Sequence, residues 1–172
     1  NAFCRVNQEY KSTGIQFFIE FPINYIQNSA FNSHDSVIIG GGFMLQYNVP
    51  NTTNCYIVTN PSGACGYNVL YGGLTVSQNC LSANTFSHEL GHALGLNHMG
   101  DYNGSSAYRP FSYQDSTVLS VMSYFGPSSP LGNNEVMQAD WIGANGQRYY
   151  VQTPMVNDVL AIQNIYGRSG TT

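Results

Sequence analysis

Three histidines within eleven residues, His88-Glu89-Leu90-Gly91-His92-Ala93-Leu94-Gly95-Leu96-Asn97-His98, constrain this chain more than any other feature. His88 and His92 are four apart, which on a helix puts both side chains on one face, about 5–6 Å from each other at Cβ. Glu89 follows the first histidine, so its carboxylate lies beside any ion that the pair holds without having to bind it, and can take a proton from water there. Gly95 tolerates a positive φ, letting the helix stop and the chain swing back so that His98 arrives as a third ligand. Three neutral imidazoles leave the fourth position of a tetrahedral zinc open, as in catalytic rather than structural sites. The rival reading is a helix that happens to carry polar residues. It must explain why three of the chain's four histidines fall together with Glu and Gly at the required offsets.

With 172 residues the chain fits one domain, long enough to bury an ordinary core. Charged residues make up 8% and the net charge is −4, which removes the basic footprint that nucleic-acid binding requires. No apolar run approaches the roughly 18 residues of a membrane span, so a membrane partner is not expected either. Asn, Ser, Thr, Gln, Gly and 13 Tyr supply a neutral polar surface typical of exported proteins. The four cysteines, Cys4, Cys55, Cys65 and Cys80, fit an oxidising compartment. The expectation is a secreted monomer whose leader and pro-segment have already been removed.

Pattern and punctuation suggest the elements. Residues 5–11 suit a helix. Residues 14–21 are β-branched and aromatic and stop at Pro22, which reads as a strand. Residues 36–39 read as a second strand cut by three glycines, 43–49 as a third strand or the end of a loop, and 55–59 as a fourth. Asn60-Pro61-Ser62-Gly63 reads as a turn. Gly73-Leu74-Thr75-Val76-Ser77 reads as an exposed edge strand. The motif helix starts near Asn84 or Thr85, and a last helix spans about 156–166, with Pro154 before it and Gly167 after. Residues 99–153 are rich in Gly, Ser, Asn and Pro, a long loop region of the kind that carries function.

Downstream of the histidines, Ser120-Val121-Met122-Ser123-Tyr124 forms a second short motif. Together the two motifs resemble the metzincin clan of zinc endopeptidases. The segments His98-Met99-Gly100-Asp101-Tyr102-Asn103, Ser120 to Tyr124, and Asp158 to Gly167 are similar in order and spacing to serralysin catalytic domains, with Met99 standing where serralysins have Pro. In the first half, Arg5 to Tyr10, Gly14-Ile15-Gln16-Phe17 and Asn54 to Thr59 ahead of Gly66-Tyr67 are more similar to the pappalysins of the same clan. The resemblance implies an α+β metzincin-type domain with a twisted mixed β-sheet above an active-site helix. A C-terminal helix closes the lower part. One domain, 1–172, would divide into an upper subdomain (about 1–98) and a loop-rich lower one (99–172). It implies one catalytic zinc held by His88, His92 and His98, with Glu89 as general base and acid. Met122 would be the hydrophobic floor and Tyr124 the phenol that steadies the oxyanion. Calcium often accompanies such domains; Asp101, Asp115 and Asp140 are the candidates, but their spacing matches no calcium loop and reads as surface solvation. The implied activity is hydrolysis of peptide bonds in protein substrates. A substrate would add as an antiparallel strand along Leu74, Thr75 and Val76 of the edge.

Four cysteines allow three pairings. One bridges Cys55 to Cys65 across the 60–63 turn and Cys4 to Cys80; alternatively Cys4 is an inhibitory thiolate on the zinc. His34 and Asp35 read as a solvated loop pair rather than a second metal site. Two rival functions remain in view. A silent or latent binding module built on the zinc scaffold would have no use for Glu89, and a hydrolase of non-peptide bonds would have no use for an edge strand. No residue in 99–153 announces a preference for one substrate.

Overall fold

Helix α1, Ala2–Glu9, opens the chain and continues as a 3-10 turn over Tyr10–Thr13, in line with the helix expected there. The computed structural model describes residues 2–13, 15–103, 112, 114–125, 146 and 153–168. No strand forms over the described part of 14–21, the span read as one. Instead the Asn7 side chain bonds both polar groups of Phe17, donating to its carbonyl at 2.7 Å and accepting from its N–H at 2.7 Å. β-propensity is a preference for a pleated, paired surface, and without a neighbouring strand it is not realised.

The second and third expected strands are also corrected. Asn28 caps the short helix α2, Ser29–Asn32, which leads into strand β1, Ser33–His34. Ser36 accepts from the Ile38 N–H and so caps helix α3, Val37–Gln46, over the run read as strand. The three glycines lie inside this helix rather than ending an element. A side chain at Gly40 would collide with the Tyr67 hydroxyl and the His34 ring, so the helix can sit this close only because the residue is glycine.

Strands β2, Cys55–Val58, and β3, Asn60–Pro61, follow, then β4, Gly66–Val69, and β5, Gly73–Ser77. The sheet order is β2-β5-β4. β2 runs parallel to β5, with Cys55 opposite Leu74, and β4 runs antiparallel to it, with Gly66 opposite Val76. β1 pairs in parallel with β3 in a separate small sheet. The sheet is therefore mixed, as expected. β5, however, is its middle strand and not an edge: Leu74, Thr75 and Val76 are each 0% exposed. They are core residues and offer no backbone to a substrate. Among the described strands the edge nearest the motif helix is β4.

This order also overturns the Cys55–Cys65 and Cys4–Cys80 pairings. β5 lies between β2, which carries Cys55, and β4, which Cys65 precedes. Ser77 at the end of β5 donates to the Cys65 carbonyl at 2.8 Å, and the chain then turns through a 3-10 segment, Gln78–Cys80. That brings Cys80 back to Cys65, and these two form a disulfide with Cα atoms 5.3 Å apart. Cys4 and Cys55 are both exposed and take no part in one.

Side chains on alternate faces of the sheet feed two cores. Phe31, Met44, Tyr56 and Val58 fill the side toward α2 and α3. On the other side Val6, Tyr10, Leu74 and Val76 pack with Phe86, Leu90 and Leu96, and with Val121, Met122 and Ile162. Ser82 caps helix α4, Ala83–Ala93, by accepting from the Thr85 N–H. The Tyr10 hydroxyl donates to the Ser87 carbonyl at 2.8 Å and pins α1 to α4. The last helix, α5, spans Val156–Tyr166 and ends at Gly167, as read from the sequence.

Candidate metal centre

Helix α4 carries His88 and His92 on one face and ends at Ala93, the residue after the second of them. Gly95 has φ +91, the left-handed conformation that reverses the chain. His98 returns with its Nε2 at 3.2 Å from Nε2 of His88 and 3.1 Å from that of His92. Each ring is held from behind through Nδ1 by a backbone carbonyl: His88 by Val121 at 2.8 Å, His92 by Leu96 at 2.8 Å and His98 by Tyr102 at 2.9 Å. A carbonyl only accepts, so each Nδ1 carries the proton and, in the neutral ring, each Nε2 presents a lone pair. Burial lowers the basicity of all three, and takes His88 down to about 4. Three lone pairs thus converge with no proton to share, which calls for a cation between them. Among the described residues this is the group whose ligand atoms gather for a metal, all within 4.8 Å of one another. Two nitrogens on one tetrahedral zinc at about 2.0–2.1 Å stand about 3.3 Å apart, close to the separations found. The donor set fits zinc.

Glu89 follows His88 on the same turn of α4 and is buried. Its Oε2 has no hydrogen-bond partner among the described residues. The side chain lies against β4, where a Cβ on Gly66 would meet Glu89 Cγ at 2.8 Å and Oε1 at 2.9 Å. Burial pushes the carboxyl up to about 8 from its ordinary 4.5. In the metal-free protein this group contributes stability that is complete below about 4.5 and is lost as pH rises through about 8. His88 contributes the other way, fully above its ordinary 6.5 and less as pH falls toward about 4. Among the described residues, Glu89 is the shifted group that slopes between pH 6.5 and about 8. Denaturant unfolding of the metal-free protein should therefore show stability declining across that interval, and Glu89→Gln should flatten the decline. An unchanged slope in the variant would remove Glu89 as its source.

Met122 is 1% exposed and sits beneath the helix, so close that a Cβ on Gly91 would meet its Sδ at 2.5 Å. Tyr124, two residues on, is 42% exposed and faces the histidines, its ring centroid 4.5 Å from that of His98 and 5.6 Å from that of His88. The structure therefore brings Tyr124 and Met122 to the histidine cluster alongside Glu89. It does not bring Leu74, Thr75 or Val76 there as exposed surface.

Two buried carboxylates escaped the sequence reading. Asp158, at the third position of α5, takes the Ser120 hydroxyl at 2.6 Å, the Val121 N–H at 2.7 Å and the Met155 N–H at 2.8 Å. The Ser120 hydroxyl oxygen in turn accepts from the Met122 N–H at 3.0 Å. An acid three residues after a helix start is the signal that could have found it. Asp115, read as solvated surface, is 0% exposed and takes the hydroxyls of Tyr102 and Ser123 at 2.8 and 2.7 Å. It lies outside every motif, and nothing in the sequence marks it. Asp101 is exposed, and Asp140 lies outside the described residues, as does most of 104–152 where substrate preference was placed. His34 is corrected as well. It is 4% exposed, bonded by Nδ1 to the Phe31 carbonyl and by Nε2 to the Tyr67 hydroxyl at 2.6 Å, a core histidine rather than half of a solvated pair.

Helices against a small mixed sheet, with three histidines and a buried glutamate gathered at one helix, resemble the arrangement of a metallopeptidase domain. Known proteins agree. A family model described as Peptidase M66 matches residues 44–121, which span β2 to β5, α4 and the segment leading to Met122. The chain is 44% identical over 97 residues to the metalloprotease AprA of Pseudomonas entomophila (strain L48), covering 51% of this chain and 18% of that protein. It is 42% identical over 92 residues to a serralysin C of Dickeya chrysanthemi, covering 51% and 17%. To a serralysin of Photorhabdus sp. (strain Az29) it is 37% identical over 109 residues, covering 57% and 20%. The chain thus spans about a fifth of the length of these relatives. The likeness is to serralysin-like metzincins, as the two motifs imply.

Proposed function

We propose that this chain is an exported zinc endopeptidase in which Glu89 serves as general base and then general acid. The observation that carries the reading is the convergence of three Nε2 lone pairs at 3.1 and 3.2 Å beside a buried carboxylate whose Oε2 has no hydrogen-bond partner among the described residues. His88, His92 and His98 would hold the zinc, which would supply Lewis acidity to acidify water and polarise a carbonyl. Glu89 accepts the proton of the attacking water and passes it to the departing amine. Its burial raises its affinity for that proton, and a cation between the histidines would favour the ionised form that accepts it. Tyr124 donates its phenol hydrogen to the oxyanion that develops on the scissile carbonyl. Met122 fills the floor under α4 and fixes the helix against the loop that carries Tyr124. An extended peptide pairs with the edge strand β4, which lies next to Glu89, and this main-chain recognition suits protein substrates of varied sequence.

The test is cleavage of casein by the purified chain after zinc loading. We expect one zinc per chain, proteolysis that stops when a chelator removes the metal, and recovery when zinc is restored. A protein that takes up one zinc and cuts no protein substrate would overturn the peptidase reading.

A further inference from the structure

Asp115 has no part in the chemistry above, yet it is fully buried close to it. Its Oδ1 takes two hydroxyls, those of Tyr102 at 2.8 Å and Ser123 at 2.7 Å, while Oδ2 has no hydrogen-bond partner among the described residues. A buried carboxylate held by two neutral donors is costly to keep, which points to a task. Tyr102 shows what that task is. Its carbonyl takes the Nδ1 proton of His98 at 2.9 Å, and its ring stacks on the His98 ring with centroids 5.0 Å apart and planes at 20°. Its hydroxyl oxygen accepts from the Tyr124 N–H at 3.4 Å. One tyrosine therefore touches the third histidine from two directions and the phenol-bearing residue from a third, and its hydroxyl is clamped by Asp115. Ser123, the other donor to Asp115, precedes Tyr124, and its oxygen accepts from the Phe125 N–H at 3.1 Å.

We propose that Asp115 is a positioning residue of the metal centre: by fixing the Tyr102 hydroxyl and Ser123 together it sets the orientation of His98 and the placement of Tyr124. Outer carboxylates commonly orient metal-bound histidines directly. Here the same job is done one step further out, through a tyrosine. The inference rests on the zinc reading of the three histidines but not on peptidase activity.

Zinc affinity, measured by competition with a chelating dye, tests it. Asp115→Ala is expected to weaken zinc binding about 10–100-fold. Asp115→Asn keeps an oxygen that accepts both hydroxyls and should recover most of that loss. With cobalt in place of zinc, the visible absorption bands should shift in Asp115→Ala and match the unmutated protein in Asp115→Asn. Tyr102→Phe keeps the stacked ring and the carbonyl but loses the hydroxyl. It should also weaken zinc binding and, on a peptide substrate, lower kcat with KM unchanged, and it serves if Asp115→Ala does not fold. Unchanged zinc affinity in Tyr102→Phe overturns the proposal, and so does an Asn variant as weak as the Ala one. If the unmutated protein binds zinc but cleaves nothing, the peptidase reading fails while the ranking of zinc affinities still decides this one. An unmutated protein that binds no zinc overturns both.

Discussion

Glu89→Gln protein is expected to bind one zinc as tightly as the unmutated chain and to lose about 10²–10⁴-fold in proteolysis, the usual contribution of a positioned general base. Gln matches Glu in shape, so the space against Gly66, where the carboxylate lies within 2.9 Å of a would-be Cβ, stays filled and β4 does not shift. What disappears is the ability to take and return a proton. The zinc ligands are untouched, because each histidine is oriented by a backbone carbonyl and none by Glu89. Metal content measured beside casein cleavage separates the two effects. Full activity in the variant would remove Glu89 from the mechanism, and loss of zinc together with activity would show that it acts as a ligand or a structural support.

Asp158→Ala carries the largest expected cost to stability. The substitution leaves three donors without an acceptor: the Ser120 hydroxyl and the Val121 N–H, both buried, and the Met155 N–H at the start of α5. Stranded buried donors cost about 1–3 kcal/mol each and do not add fully, so a loss of about 3 kcal/mol is expected in denaturant unfolding. Damage should also reach the metal site. Val121 gives its N–H to Asp158 and its carbonyl to His88, so the residue that α5 holds in place is the one that orients the first ligand. Asp158→Asn keeps acceptor oxygens for some of these donors and should fall in between. An Asp158→Ala protein as stable as the unmutated one would mean that the loop at 120–122 is held by its packing alone.

Legibility in the sequence followed the range of the interactions. Helices α4 and α5 were readable because their signals are local: histidine spacing, Pro154 before α5 and Gly167 after it. The three ligands were readable for the same reason, since one helix and one glycine turn bring them together. The first half depends on partners distant in sequence. Residues 15–20 have strand composition, but Asn7 takes the polar groups of Phe17 and none of the described strands lies alongside. Residues 37–39 are as apolar as any buried strand and form a helix, because Ser36 caps it and Gly40 lets it approach Tyr67 and His34. The place of β5 in the middle of its sheet depends on β2 inserting beside it, and with it went both the substrate edge and the cysteine pairing. Asp115 looked like surface because burial of an acid is decided by the hydroxyls that meet it, here from residues 102 and 123.

The three carbonyls behind the histidines belong to different stretches of chain: Leu96 in the turn after α4, Tyr102 beyond the third ligand, and Val121 in the segment fastened to α5. A ligand that binds only when all three stretches are in place draws on the folding equilibrium of the whole domain. At a thousand times its dissociation constant such a ligand adds about 4.1 kcal/mol to the folded state, a sizeable share of the 5–15 kcal/mol typical of a domain. The protein's persistence would then track the supply of zinc around it. Where zinc is scarce the metal-free chain would open more often and be cut sooner by other proteases.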